Sequence, residues 1–389
     1  MKKILFAAQD TYLGGGEIAL INLIQELKKM GYAAILILPR DGPFSYEAKR
    51  LSIDVRIIDM PLIGKRVIKH PIKFLTALTE ISKIIKRENI AYIFANTLNS
   101  GIYASIAGKI FGIMRIWYFW GCYFPKNKLW QVIYRMLFNK LVFCSHYIKK
   151  RMNIRTFKEK DLLVVYPGIN IAQWDGDNSW YENLFKKENK IPVNYSIFSI
   201  IARLDPWKNH EMFIDAAGKI AERHSNSFFV IAGPYKEEEG GSEGYKFNLE
   251  KKIESMPVLK GRMLFTGFVK DIKKVIKASE VVFSCSGKNN NPEPFSISIM
   301  EIMASERPLI ATSAGGTPEI LTDGVNGFLV KLDDYNSMAR KALRIIGSHS
   351  EYGKIVRNAK TCIGEKYTIE RFAQEISAIF LSENSGNRR

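Results

Sequence analysis

Short apolar runs and stretches of helical period alternate along this chain with few interruptions. Ile4 to Ala8, Ala33 to Leu38, Val55 to Ile58, Ala91 to Ala95, Arg115 to Phe119 and Leu141 to Cys144 read as buried strands, with helical patterns between nearly all of them. Leu162 to Asn170 supplies a last strand ending in a turn. Alternation of this kind predicts a parallel sheet with helices on both faces. A second series follows at Ser196 to Ile201, Phe228 to Ala232, Arg262 to Phe265, Val281 to Cys285, Pro308 to Ala311 and Gly327 to Val330.

The pattern is therefore α/β, with two doubly wound, Rossmann-like domains at 1–172 and 195–366. The polar stretch 173–194, rich in Asp, Asn and Lys, reads as the linker between them. A final helical pattern, Thr368 to Leu381, lies in a closing segment, 367–389, after the second sheet is complete. Ligands of such sheets bind outside the carboxyl ends of the strands, so two sheets facing across a cleft would hold theirs between them.

Length agrees with two domains, since 389 residues exceed one ordinary core. No run of eighteen apolar residues occurs, and Met1-Lys-Lys leads straight into the first strand, so the expectation is a cytosolic chain. The four cysteines, Cys122, Cys144, Cys285 and Cys362, are widely spaced and read as buried thiols rather than a zinc site or disulfide frame. The five histidines show no metal-ligand spacing, so no metal or cofactor is expected.

Charge changes the picture more. The net +18 is concentrated in the first half: residues 1–170 hold 27 Lys and Arg against 11 Asp and Glu, and the remainder 30 against 28. Gly101 to Lys150 has eight basic residues and no acid, interleaved with aromatics. Such a mixture serves nucleic acid, an anionic membrane surface or an anionic substrate.

The densest chemistry lies between Ser284 and Glu319. After a strand and a polar loop come Glu293-Pro294-Phe295, with Pro294 suited to a first helical position and Glu293 at the positive end of the helix dipole. The amides of Phe295, Ser296 and Ile297 are then predicted to point out of the helix end as donors for a ligand. Glu301 follows Pro294 by seven residues, on the same face and roughly 10 Å further along. Two carboxylates flanking a row of amides suit a ligand with hydroxyls at both ends and phosphates between. An amphipathic helix with solvated glutamates is the plainer alternative.

Three more loops carry candidates. Gly14-Gly15-Gly16-Glu17 opens a helix after the first strand and reads as a phosphate contact, a plain turn, or a loose dinucleotide fingerprint through Gly14, Gly16 and Ala19 with Arg40 nearby. Arg203-Leu204-Asp205-Pro206-Trp207-Lys208-Asn209 follows the first strand of the second sheet, with Lys208 at a predicted helix start. Asp175-Gly176-Asp177 has the Asp-x-Asp form of metal-dependent transferases, but it falls in the linker and reads as a solvated turn.

Taken together, the strand before Glu293, the paired glutamates and Gly315-Gly316-Thr317-Pro318-Glu319 closely resemble the donor-binding signature of retaining family-4 glycosyltransferases of the GT-B fold. The 202–209 loop resembles that family's Gly-Arg-Leu…Lys-Gly motif, with Ala202 and Asn209 in place of the glycines. The resemblance implies a nucleoside-diphosphate-sugar donor and metal-independent hexosyl transfer with retention. It assigns Glu293 and the Phe295 to Ile297 amides to the sugar, Arg203 and Lys208 to the pyrophosphate, and Glu301 to the ribose. Val269, in Gly267-Phe268-Val269, would face the base with its backbone. Gly15 and Gly16 would contact phosphate from the other domain, with Glu17 and Trp120 on the acceptor side. A histidine is frequent in the family where Trp120 stands here. The final helix is expected to return to the first domain.

A nucleotide-sugar epimerase and a basic nucleic-acid-binding protein are the alternatives, the second motivated by charge alone. The uneven charge favours instead a glycan or lipid-linked acceptor, in polysaccharide or lipopolysaccharide synthesis, at the anionic inner face of a membrane. Candidate contacts are 65–69 leading into a helix from Pro71 to Lys86, and Lys126, Lys128, Arg135 and Lys140 alternating with Trp130, Ile133, Tyr134, Leu137 and Phe138; the plainer alternative is that these apolar residues face the sheet and the lysines are solvated.

Overall fold

The computed structural model describes residues 1–63, 70–121, 127–236, 241–288 and 291–382. The chain forms two compact units: Met1–Gly168 with the last helix, Ile369–Ser382, and Ile169–Thr368.

The first unit has a seven-stranded sheet of order β3-β2-β1-β4-β5-β6-β7. Its strands are β1 (Lys3–Ala7), β2 (Ala33–Leu38), β3 (Asp54–Ile57), β4 (Ile90–Ala95), β5 (Met114–Phe119), β6 (Lys140–Phe143) and β7 (Leu162–Val164). All pairings are parallel. The central strands are apolar on both sides because helices cover both faces, and β1, β4, β5 and β6 are almost wholly buried. The last helix packs against the first, Gly15–Lys29. Tyr32 hydrogen-bonds Ser377 at 2.7 Å, and Tyr92 stacks on Phe380 with ring centroids 4.6 Å apart.

The second unit has a six-stranded sheet of order β10-β9-β8-β11-β12-β13, again all parallel. Its strands are β8 (Ser196–Ile201), β9 (Ser227–Ala232), β10 (Met263–Gly267), β11 (Val281–Ser284), β12 (Leu309–Thr312) and β13 (Phe328–Val330).

The stretch 173–194 is more than a linker. Asp177 caps a helix, Asn178–Glu188, by accepting the Ser179 N–H, and this helix packs on Ile272–Ala278. Phe185 and Ile191 join Ile197, Val230 and Val275 in one buried cluster. Lys186 is buried too, its ammonium held by Glu182 and the Val193 carbonyl. The polar composition concealed a helix that buries only one narrow stripe.

Part of the basic aromatic stretch follows the plainer reading and faces the sheet. Tyr134, Leu137 and Phe138 are buried, and so is Lys140, whose Nζ lies 2.6 Å from Asp161. Arg135 lies 3.6 Å from the same carboxylate. These residues, Lys140 above all, build the unit's interior and its margin. Of the other expected contacts, Lys126 and 65–69 fall outside the described residues.

Candidate functional site

Strands β8 and β11 are neighbours, but the sheet winds away from them in opposite directions, toward β9 and β10 on one side and β12 and β13 on the other. That makes the β8/β11 boundary a topological switch point, where the two following loops diverge and leave a crevice at the carboxyl ends of the strands. The loop after β8 carries Arg203 and Lys208, and the loop after β11 carries Glu293.

The first loop is held against the sheet by its own backbone. Ala202 N–H donates to the Ala232 carbonyl at 3.0 Å and Leu204 N–H to the Pro234 carbonyl at 2.9 Å. A Cβ on Gly233 would come within 2.0 Å of the Ala202 oxygen, so glycine is required there. Asp205 then starts a single 3-10 turn, Pro206–Lys208, and the helix proper begins only at His210. Between them Asn209 is left-handed, at φ 54° and ψ 51°, and its Nδ2 donates to Asp333 Oδ1 at 2.9 Å. Asn tolerates that conformation better than other non-glycine residues, which explains how it can stand where the motif this loop resembles has glycine.

This turn directs Lys208 across the switch point. Its Nζ lies 2.5 Å from Glu293 Oε2, with the two side chains 15% and 7% exposed. The same ammonium sits 3.9 Å from the centroid of the Trp207 ring, and the Arg203 guanidinium 6.0 Å from it. One indole therefore supports both cations through its electron-rich face. Trp207 is a residue the sequence reading passed over. Its position between the two predicted cations was the available signal.

The second loop is fixed at both ends. Gly287 N–H donates to the Trp207 carbonyl at 2.9 Å, joining it to the first loop, and Gly316 N–H donates to the Glu293 carbonyl at 2.8 Å. Gly315 is left-handed at φ 62°, and a Cβ on it would stand 2.0 Å from that carbonyl oxygen. The Gly-Gly pair thus lets the 313–317 turn close on the backbone of Glu293.

The helix after this loop starts later than predicted. It runs Ile297–Ala304, capped by Ser296, whose Oγ accepts the Ile299 N–H at 3.3 Å. Pro294 and Phe295 precede it, and the Phe295 ring is buried 5.7 Å from that of Tyr367. The groups at the open end of the helix dipole are therefore the Ile297 and Ser298 amides, not a row from Phe295 to Ile297. The competing signal was Ser296: a serine cap outweighs proline's preference for a first position. Glu301 lies on this helix, and burial pushes its carboxyl up to about 8.

At the third strand end, Gly267 is left-handed at φ 69° and packs under the Tyr235 ring. Val269 directs its side chain into the cluster around Ile197 and Val275, which leaves its backbone as the part that can meet a ligand.

In the first unit the corresponding switch point lies between β1 and β4. Gly14 caps the helix Gly15–Lys29, and the buried Glu17 turns back on it, Oε2 accepting the Gly14 N–H at 3.1 Å. Glu17 thus builds the loop rather than projecting from it. A Cβ on Gly16 would stand 3.8 Å from the Trp120 indole, whose Nε1 donates to Asn96 Oδ1 at 2.8 Å. Gly16 and Trp120 are brought together, with Asn96 fixing the indole. Asp175 and Asp177 do not form a paired site: Asp175 Oδ1 accepts Lys360 Nζ at 2.8 Å, and Asp177 is the helix cap described above.

Comparison with known proteins covers nearly the whole chain. The family model "Glycosyltransferase Family 4" matches residues 13–173, and "Glycosyl transferases group 1" matches 182–362. An uncharacterised glycosyltransferase of Methanocaldococcus jannaschii is 32% identical over 225 residues, 57% of this chain and 54% of that protein. The Escherichia coli UDP-Gal:alpha-D-GlcNAc-diphosphoundecaprenol alpha-1,3-galactosyltransferase is 24% identical over 329 residues, covering 80% of this chain and 79% of its own. The chain spans about half the length of some of the curated relatives it matches, 54% and 48% in two cases. Among solved structures, Anabaena HepE in complex with UDP and glucose superposes with a TM-score of 0.82 at 22% identity, over 98% of this chain and 100% of that one.

Proposed function

Since the chain belongs to the group 1 and family 4 glycosyltransferases, on the GT-B fold of paired Rossmann-like domains, we propose that it transfers a hexose-type sugar from a nucleoside diphosphate to a hydroxyl of a glycan or lipid-linked glycan, with retention. The observation that carries this reading is the Lys208–Glu293 contact at the second switch point, supported by Trp207. It places a cation suited to phosphate beside a carboxylate suited to sugar hydroxyls.

In this reading the donor pyrophosphate lies against Arg203 and Lys208, and its sugar against Glu293 and the Ile297 and Ser298 amides. Glu301 takes the ribose, and the Val269 backbone takes the base. Gly15 and Gly16 supply a further phosphate contact, and Trp120 stands on the acceptor side. As the anomeric carbon–oxygen bond breaks, negative charge grows on the departing diphosphate, where two fixed cations stabilise it more than they stabilise the intact donor. The acceptor oxygen bonds to the anomeric carbon on the same face, and its proton passes to the departing phosphate oxygen. No protein base is then required, and the cations take the role a metal would have. The acceptor reading draws on the charge of residues 1–170 and on relatives that include the diphosphoundecaprenol-directed enzyme, with work at the cytoplasmic face of a membrane.

A thermal-shift screen of nucleotide-sugars tests the reading, because a donor that binds the folded state raises its melting temperature. The best donor should then be consumed only with acceptor present, and Arg203→Ala should lower kcat/KM at least ~100-fold. Donor conversion without acceptor would favour the epimerase instead. Salt-sensitive nucleic-acid binding with no donor shift would favour a binding protein.

A further inference from the structure

The helix Lys128–Leu137 has two apolar sides. One, with Tyr134 and Leu137, is buried, and Tyr134 meets Trp117 of β5 edge-on at 5.7 Å. The other carries Leu129, Val132 and Met136, which are 66%, 40% and 55% exposed. Spacings of three and four residues put these in one stripe along the helix. A helix serving only to cover its sheet would carry polar groups on that side. A lone exposed leucine needs no explanation, but a continuous stripe marks a contact.

The surroundings indicate what is contacted. At about 100° per residue, Lys128 and Arg135 fall together on one flank of the stripe. Trp130, 42% exposed, lies away from the stripe at the margin of the buried side, 6.1 Å from the Tyr134 ring, where an indole suits a boundary between apolar and wet surroundings. No acid occurs anywhere from Gly101 to Lys150.

A second helix repeats the arrangement. Pro71–Arg87 packs against Leu98–Ile110, which packs against Lys128–Leu137, so the three lie side by side. In its opening turns Ile72 and Leu75 are 77% and 61% exposed, and Lys73 between them pairs with Asp59 at 2.8 Å. Helices joining parallel strands begin at the strands' carboxyl ends. The exposed groups at both helix starts therefore lie toward the sheet edge that holds Gly16 and Trp120.

We propose that this face docks the protein on an anionic bilayer, with Leu129, Val132 and Met136 entering the boundary between headgroups and acyl chains and flanking Lys128, with the net positive charge of residues 1–170 behind it, meeting lipid phosphates. The proposal rests on the lipid-linked acceptor reading above and replaces the contact set expected from sequence, in which Lys140 and the inward aromatics took part. A second copy of the chain fits the face poorly, because 27 basic against 11 acidic residues over 1–170 would bring like charge against like. Nucleic acid gives the aliphatic stripe nothing to contact.

Sedimentation of the full chain with vesicles tests it. Binding should require phosphatidylglycerol in phosphatidylcholine vesicles and weaken with salt. It should fall about tenfold or more in the triple variant L129S/V132S/M136S, given the apolar area removed. Because these side chains face outward, the variant should keep its melting temperature and its donor-induced shift. In the unaltered fold, brominated acyl chains should quench tryptophan fluorescence, and Trp130→Phe should remove most of that quenching. Equal pelleting of wild type and triple variant, no binding to anionic vesicles at low salt, or a dimer that the triple variant dissolves would each overturn the docking face. Loss of vesicle binding with an intact donor shift leaves the glycosyltransfer reading standing, whereas vesicle binding without any donor response removes that reading and keeps the surface.

Discussion

Lys208 and Glu293, 85 positions apart in the chain, meet at 2.5 Å because the loops that carry them leave adjacent parallel strands on either side of a switch point. Both side chains are largely shielded, so each charge depends on the other until a ligand arrives. A donor diphosphate would compete with Glu293 for the lysine and free the carboxylate for sugar hydroxyls.

Removing one member should therefore harm folding and catalysis together, while removing both should separate the two. Lys208→Ala is expected to destabilise the protein by about 3 kcal/mol, the scale for stranding a buried charge, and to lower kcat/KM at least ~100-fold. The double variant Lys208→Met with Glu293→Gln should recover most of the stability and none of the activity. Denaturant titration and steady-state kinetics on the three proteins check this. Recovered turnover in the double variant would remove the pair from the mechanism.

Glu301 gives a pH signature. Burial raises its carboxyl from an ordinary 4.5 to about 8. Below pH 4.5 the group is protonated in both folded and unfolded chains and contributes nothing. Between 4.5 and 8 the unfolded chain releases a proton that the folded chain keeps, so stability falls as pH rises. Above 8 the penalty is complete, at most about 5 kcal/mol. Glu301→Gln should match wild type near pH 4 and become progressively more stable than it up to pH 8. A stability difference that stays flat across that range would contradict the burial argument.

Much of this architecture was legible because parallel strands buried on both faces leave unmistakable apolar runs, and the strands from Ile4 to Val330 lie within a residue or two of their predicted places. Charge and spacing singled out Arg203, Lys208 and Glu293, and the fold brings Lys208 to Glu293 with Trp207 beside both cations. Local chemistry was harder. Ser296 as a cap, Asn209 as a left-handed hinge and Gly315 as a close approach to Glu293 depend on backbone angles that composition does not display. The helix Asn178–Glu188 was hidden because a helix on the rim of a domain buries so little that its sequence reads as polar linker. The outward stripe at Leu129, Val132 and Met136 could not be told from core-facing residues before the burial of Tyr134 and Leu137 fixed the helix's orientation.

Asn209 should behave as a hinge residue. Alanine there loses the bond to Asp333 and must hold φ near 54°, a combined cost of about 2 kcal/mol. Glycine loses the bond but none of the conformational ease, so Asn209→Gly should be the milder change. Because the hinge aims Lys208, the alanine variant should also raise KM for the donor more than the glycine variant does. Equal effects on KM would show that the turn does not position the lysine.

The final prediction concerns metal. Arg203 and Lys208 stand at the switch point on a shared indole, and in the proposed reading they take the place of an ion at the departing diphosphate. The Asp-x-Asp segment is engaged elsewhere: Asp175 is held below its usual carboxylate range chiefly by its hydrogen bond from Lys360, and Asp177 caps a helix. Activity should therefore be unchanged in excess EDTA. Asp175→Asn should alter stability by no more than about 1 kcal/mol, since its pair with Lys360 lies at the surface, and should leave turnover intact. Lys208→Ala, by contrast, should become responsive to added Mg²⁺, because a divalent ion can take over part of the missing charge. Strict divalent dependence of the wild type, abolished by Asp175→Asn, would transfer the diphosphate chemistry from the two cations to the aspartates.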